Sequence, residues 1–201
     1  MSRPRALGEG FFARSVHEVA HDLIGCTLLF GGCGGVIVET ESYDRDDPAC
    51  HAFGGRTPRN EVLFGPPGLA YVYISYGIHR MLNIVAESDG HAAAALIRAI
   101  EPTAGVAEMR RRRGDHGLGG LCSGPGKLAQ ALGVGLEHNG ASLSRAPFRV
   151  LEPAADWRDT AVVAGPRIGI TRATELPWRF SAARNRFVSR PRPPTAAVAA
   201  A

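Results

Sequence analysis

Glycine and proline punctuate this chain more finely than long helices allow. The 201 residues include 25 glycines and 14 prolines, and the apolar stretches between them are short. Such segments suit strands and brief helices, and they argue against a helical bundle. Apolar residues still make up 45% of the chain and charged residues 21%. That is enough for a buried core, and it excludes disorder over most of the length. One domain is expected, or two small ones at most.

The periodicities place the elements. SVHEVAHDLI (residues 15–24) predicts a helix, with Ser15 and Glu18 at capping-box spacing and Gly25 at its end. CTLLF (26–30), the turn GGCGG and GVIVETES (35–42) predict a hairpin. Alternation in its second strand sets Glu39, Glu41 and Tyr43 on one face and Val36, Val38 and Thr40 on the other. Residues 44–60 form a long polar loop without periodicity, a kind of loop more often functional than idle. LAYVYIS (69–75), RMLNIVAE (80–87) and AAAALIRAI (92–100) predict strands, and Thr103–Arg113 a helix. Pro125–Leu132 predicts a short helix, and FRVLEP (148–153) and RIGITR (167–172) late strands. No repeat or linker divides the chain. The expectation is a single mixed α+β domain over residues 1–190, with a curved, mainly antiparallel β-sheet and flanking helices, followed by a Pro/Ala-rich flexible tail at 191–201.

Charge is unevenly spread. Of 23 basic residues only Lys127 is a lysine, and residues 145–201 hold ten arginines against four acids. A further run occupies Arg110–Arg113. Clustered arginine suits phosphate, because its planar fork donates two parallel hydrogen bonds. With a pI near 9.2 this outlines a nucleic-acid binder, although a compositional bias towards arginine explains the identity of the residues as well. The C-terminal arginines, Arg167 among them, are candidate DNA contacts.

The four cysteines, Cys26, Cys33, Cys50 and Cys122, contain no CxxC pair, and the seven histidines show no HExxH spacing. No metal and no cofactor is therefore expected. GGCGG lies between two strands, which does not fit a dinucleotide-binding turn. The segment MSRPRALGEGFF lacks an apolar signal core, and no apolar run approaches the ~18 residues of a membrane helix. Reduced thiols in a cytoplasmic protein are the expectation.

All four tyrosines (Tyr43, Tyr71, Tyr73 and Tyr76) fall in one stretch, and alternation aims Tyr71 and Tyr73 at the same face. Aromatic faces stack on bases and attract cations, but strand tyrosines also serve as core residues with a wet rim. Glu41, at a strand end that opens into a long loop, is placed for general-base work or for simple solvation. His51 lies in that loop, where a lone histidine reads as a turn hydrogen-bonder.

Taken together the segments form a recognisable set. VETES-Y at 38–43, HAFGGRTPRN at 51–60, GPPGLAYVYISYG at 65–77, LNIV at 82–85, LIRAIEP at 96–102 and LCSGPGKLAQALG at 121–133 follow one another in order. The series resembles the 3-methyladenine DNA glycosylase family of the alkyladenine type, over about residues 8–190. The fold this implies resembles that of the C-terminal domain of formyltransferases.

The resemblance also implies roles. Glu41 would activate the attacking water. Tyr43 and His51 would stack on one side of an extruded base and Tyr73 on the other, with Asn83 testing the purine 2-amino position. Tyr76 would wedge into the minor groove, and Arg98 would hold a phosphodiester near the flipped nucleotide. Lys127, in GPGKL, would touch phosphate or solvent. As the only lysine it is the single side-chain amine for a Schiff base, so a monofunctional enzyme that leaves an abasic site is expected. Ser42 and Ile78 depart from the family's usual alanine and methionine. The implied partner is double-stranded DNA carrying a damaged purine, with no membrane. A monomer is expected, nucleoid-associated in the cytoplasm, or nuclear in a eukaryote. The rivals are a catalytically silent nucleic-acid-binding module of the same fold, an RNA-directed relative, and a metal-dependent nuclease built on Asp44, Asp46 and Asp47.

Overall fold

The computed structural model describes residues 4–191. Beyond Pro191, the tail assigned to 191–201 lies outside the described residues.

Two short helices, α1 (Glu9–Phe12) and α2 (Val16–Asp22), precede the hairpin of β1 (Thr27–Phe30) and β2 (Cys33–Tyr43). After the polar loop come β3 (Ala70–Ser75), β4 (His79–Val85) and β5 (Ala94–Ala104). The helices α3 (Val106–Arg113), α4 (Leu118–Leu121) and α5 (Pro125–Leu132) follow, then β6 (Phe148–Leu151), β7 (Val162–Gly165) and β8 (Arg179–Ala182). All eight strands join one antiparallel sheet along β3-β4-β5-β2-β1-β6, with β8 between β2 and β7. This is the mixed α+β architecture with a curved antiparallel sheet that the sequence predicts.

Strand β2 is the spine. β5 pairs along one side of it, while the other side is shared by β1 near its start and by β8 at Glu39–Glu41. The register against β5 slips between Ile37 and Glu39, the mark of a β-bulge. A bulge adds a residue to one strand, bends it and increases its twist. Ile37 and Val38 consequently both enter the main core, while Val36 does not. The simple alternation expected from Val36 to Thr40 is broken at that point and resumes beyond it.

Alternation sorts the other strands cleanly. Ala70 and Val72, Leu82 and Ile84, and Ala95, Ile97 and Ala99 join the main core, which α2 and α5 cover. Tyr71, Tyr73, Val85 and Ala94 join a second cluster under the polar loop, with Cys50, Ala52 and Leu63. The sheet thus has two covered faces, helices on one and the loop on the other. Burying a leucine or isoleucine of the main core contributes roughly 1.5–3 kcal/mol.

Several local expectations shift. The β1–β2 turn uses only Gly31 and Gly32, both with positive φ, and Cys33 already pairs with Phe30. The remaining glycines of GGCGG are strand residues, and a Cβ on Gly35 would meet the Glu101 carbonyl at 2.0 Å. Only glycine lets β2 and β5 approach so closely. The Ser15 side chain makes no cap on α2; the first helical N–H, of Val16, donates to Glu87 Oε1 at 2.7 Å. Helix α3 starts three residues later than Thr103, because Ala104 still pairs with Gly34.

The expected strand at 167–172 is not formed. The strand lies earlier, at Val162–Gly165, and the following segment up to β8 is irregular. One of its backbone amides, that of Ile168, donates to the Glu41 carboxylate instead.

Candidate active site

The second face of β2–β5 carries the polar and aromatic members of each alternating strand: Glu39, Glu41, Tyr43, Tyr71, Tyr73, Asn83 and Arg98. A cleft of about 620 Å³ opens there, and Tyr43, His51, Tyr73, Tyr76, Asn83 and Arg98 all line it. Sequence-distant residues are thereby brought together by pairing alone. Tyr71 opposes Asn83 on β4, and Asn83 opposes Leu96 on β5, two residues from Arg98.

Glu41 lies just beneath the cleft wall and is fully buried. Its Oε2 accepts from the Tyr43 hydroxyl at 2.8 Å. Its Oε1 accepts from the Ile168 N–H at 2.7 Å and faces Arg98 Nη1 at 3.1 Å. Tyr43, Arg98 and Ile168 each line the cleft, so the carboxylate is one layer of side chains and backbone from it. Burial pushes its proton affinity up, and Arg98, the Ile168 amide and Tyr43 offset this only in part. The carboxyl therefore titrates above the ordinary glutamate range. The Ile168 amide is a functional group that sequence reasoning missed. Nothing in a residue's identity signals a backbone contact, and the diverted amide is one bond the expected strand would have needed.

Glu39 contrasts with Glu41. Burial disfavours its charge, but Arg98 and Arg179, with the Ser189 amide, outweigh this and hold it below the usual range. Both carboxylates push Arg98 upward against burial, so the guanidinium stays charged. Arg98 was expected to grip a phosphodiester. It lines the cleft, but its guanidinium turns inward onto Glu39 and Glu41.

Arg167, expected to contact DNA, does not lie on the surface. Its side chain is wholly buried and paired with Asp47, which is buried as well. Nη2 meets Asp47 Oδ1 at 3.0 Å, and Nη1 donates to the Ser42 carbonyl at 3.0 Å. The guanidinium lies 4.6 Å from the Tyr43 ring centroid and 5.0 Å from that of Trp178. Its role is to pin the polar loop and to pack against Tyr43. Counting arginines cannot distinguish such an internal pair from a surface one.

His51 sits on the loop with Nδ1 3.0 Å from the Tyr71 hydroxyl. Burial and Arg59 lower its proton affinity, which favours the neutral ring. The loop is laced by buried Asn60, whose Nδ2 donates to the carbonyls of His51 and Gly55 at 2.9 Å each. The His51 and Tyr73 ring centroids are 4.4 Å apart, edge to face. A base held between two rings needs about 7 Å, twice a carbon–carbon contact of ~3.5 Å. In this conformation His51 therefore closes the slot that the sequence reading placed between it and Tyr73. Tyr71, its ring 5.4 Å from that of Tyr73, extends the aromatic wall; the shared alternation already signalled that.

Asn83 is buried and donates Nδ2 to the Tyr71 carbonyl at 3.0 Å. At the rim, Tyr76 is 83% exposed and Ile78 71%. They project from the β3–β4 turn, where Tyr76 holds a φ of 49°. A non-glycine residue in that region is strained, and an aromatic one left in water is unusual. Arg59 and Arg172, both exposed, add charge to the cleft lining and were not singled out in the sequence. Lys127 is exposed in the first turn of α5 and does not line the cleft. Asp44, Glu87 and His91 bring ligand-type atoms within 4.8 Å of one another outside the cleft. His91 Nε2 already meets Asp44 at 3.3 Å, and Glu87 holds α2.

The protein is thus an α+β domain whose site lies on a sheet face, an aromatic slot backed by a desolvated glutamate. The chain belongs to the methylpurine-DNA glycosylase (MPG) family, whose family model matches residues 10–186. This assigns it to the DNA glycosylases, hydrolases acting on N-glycosyl bonds. Similar proteins named "Putative 3-methyladenine DNA glycosylase" occur in bacteria. The one from Rhodopseudomonas palustris strain CGA009 is 60% identical over 185 residues, 91% of this chain and 87% of the relative. A second, from strain BisB18, is 61% identical over 92% of this chain and 91% of its own. One from Nitrosospira multiformis is 53% identical over 90% and 92%. No helix among the described residues is long and apolar enough to cross a membrane.

Proposed function

We propose that this protein is a monofunctional glycosylase of base excision repair. It extrudes an alkylated or deaminated purine from duplex DNA and hydrolyses its N-glycosidic bond. The observation that carries this reading is the buried Glu41 carboxylate, bonded to cleft-lining Tyr43 and Arg98 directly beneath an aromatic slot.

Extrusion costs a few kcal/mol, least for a damaged base. Tyr76, already exposed on a tight turn, offsets part of that by entering the vacated stack and kinking the duplex. His51 swings off Tyr73 as the base enters, so that Tyr43 and His51 cover one side and Tyr73 the other. A purine alkylated at N3 or N7 is cationic and is drawn to the tyrosine faces more strongly than a neutral one. Asn83 tests the 2-amino position from the pocket floor. Arg59 and Arg172 at the rim, and Lys127 on α5, meet phosphates.

Glu41 takes a proton from water, and its charge favours the oxocarbenium-like sugar as the base departs. Arg98 keeps the carboxylate ionised and oriented. Among the described residues no lysine lines the cleft to form a Schiff base, so the product is an abasic site and the free base.

The test is base release from duplexes each carrying one defined lesion: 3-methyladenine, 7-methylguanine, hypoxanthine or ethenoadenine. Wild type should release at least one, and Glu41→Gln none at a comparable rate while still binding the duplex. Undiminished release by the variant would sink the proposal.

A further inference from the structure

The first glutamate of the VETES segment is fully buried and is given four donors. Glu39 Oε1 accepts from Arg98 Nε at 2.8 Å, Arg179 Nε at 2.7 Å and the Ser189 hydroxyl at 2.9 Å, and Oε2 accepts from the Ser189 amide at 2.7 Å. Arg179 also donates Nη2 to the carbonyls of Ser189 at 3.3 Å and Pro191 at 2.9 Å. Arg98 Nη2 reaches the Ser189 hydroxyl at 3.3 Å. Two carboxylates and two guanidiniums therefore form one dry cluster, and Arg98 is divided within it. Its Nε faces Glu39, and a single terminal nitrogen, Nη1, faces Glu41.

That division has a chemical consequence. A guanidinium free to turn would offer Glu41 a bidentate fork, the strongest arrangement available to the pair. A carboxylate held that way is a weak base. We propose that Glu39 is a positioning residue for the reaction: by anchoring Arg98 through Nε, it keeps Glu41 singly paired and basic enough to accept a proton from water. The proposal rests on the reading of Glu41 as the general base.

Every charged or titratable group around Glu41 fits this assignment. Glu39 and Tyr43 face it from β2, Tyr73 from β3, Arg98 from β5, and Arg179 lies opposite it on β8 while pairing with Glu39. Arg167, in the segment before β8, acts on Tyr43 and is neutralised by Asp47. Glu39 is thus the only anion that competes with Glu41 for Arg98 among the described residues.

The experiment is a single-turnover pH profile on duplex carrying 7-methylguanine, a cationic base that departs neutral without a further proton on the ring, for wild type, Glu39→Gln, Glu39→Asp and Glu41→Gln. Glutamine keeps the volume of Glu39 and removes its charge, so Arg98 turns to Glu41. The acid limb should move down by roughly one pH unit, and the plateau should fall about threefold or more. Glu39→Asp restores the charge and should return the limb towards the wild-type midpoint. A folded Glu39→Gln whose limb stays at that midpoint overturns the proposal, because a purely structural residue would change the yield or melting temperature without moving the limb. If Glu39→Gln does not fold, Ser189→Ala is read instead, since it removes the hydroxyl that donates to Glu39 Oε1 and accepts from Arg98 Nη2 and so loosens the anchor on the guanidinium. A downward shift then supports the assignment, and an unmoved limb overturns it. Glu41→Gln keeps the two ideas apart: full activity there removes the premise about Glu41, whatever Glu39 does.

Discussion

Glu41 and Arg98 meet across the β2–β5 ladder at 3.1 Å, both all but sealed from solvent, and the glutamate nevertheless gains proton affinity. Coulomb attraction from one guanidinium nitrogen does not outweigh the loss of water around the carboxylate. The site thus holds a carboxylate whose proton affinity burial raises above that of an ordinary glutamate.

This has a stability cost with a definite sign. A carboxyl whose folded pKa is raised contributes stability that is complete below the unfolded value of about 4.3 and lost as pH rises through the folded value. Glu41→Gln should therefore melt higher than wild type at pH 7. The difference should close as pH falls below about 4. Melting temperatures across that range test it. Equal melting at pH 7 would mean Arg98 fully compensates the charge.

Arg167 and Asp47 provide the opposite case, a buried pair with both members at 0% side-chain exposure. Removing one leaves the other charged and dry, at a cost of about 3–5 kcal/mol. Arg167→Met is expected to destabilise by that order in urea unfolding. Arg167→Met combined with Asp47→Asn should recover part of the loss. If the double variant is no better than the single one, charge is not the reason for the pairing.

Tyr76 separates stability from function. Glycine adopts its positive φ without penalty, whereas an L side chain there costs roughly 1 kcal/mol. Tyr76→Gly should keep or slightly raise the melting temperature and still lose most base release from duplex DNA. A variant that melts lower and excises normally would remove the wedge role.

Stacking sets the expected size of the next effect. Base–aromatic contacts are worth about 1–3 kcal/mol each, so Tyr73→Ala should slow excision by roughly tenfold to a hundredfold. His51→Ala is expected to be milder, because it also removes the edge that closes the slot against Tyr73. Single-turnover rates for the two variants decide the order.

Lys127, exposed in α5 and absent from the cleft wall, should not be trapped on DNA by borohydride. Lys127→Met should leave the base-release step intact. It should reduce the slope of log affinity against log salt by about one phosphate contact. A trapped covalent adduct in good yield would instead give the protein a strand-cutting activity.

The arginine-rich segments show where local reading stops. Arg110–Arg113 looks like a phosphate-binding run, yet Arg112 donates to the carbonyls of Ala131 and Leu132 at the end of α5, and Arg113 bonds to Gln130. Two of these arginines serve helix packing, and nothing within four consecutive letters could say so.

The sequence by itself determined which side chains share a face. Strand side chains alternate with a period of two, so Tyr71 with Tyr73, and Glu39 with Glu41, could be assigned together from spacing alone. Ordered motifs carried the family in the same way. Tertiary structure alone decided the charge partners. Arg167 reaches Asp47 across 120 positions and the Ile168 amide reaches Glu41 across 127. The bulge at Ile37–Glu39, where β2 changes partners from β1 to β8, likewise appears only in the paired sheet. The physical reason is that a buried charge is stabilised by whatever the returning chain brings within about 3 Å of it, and that meeting is set by the packing of the whole domain.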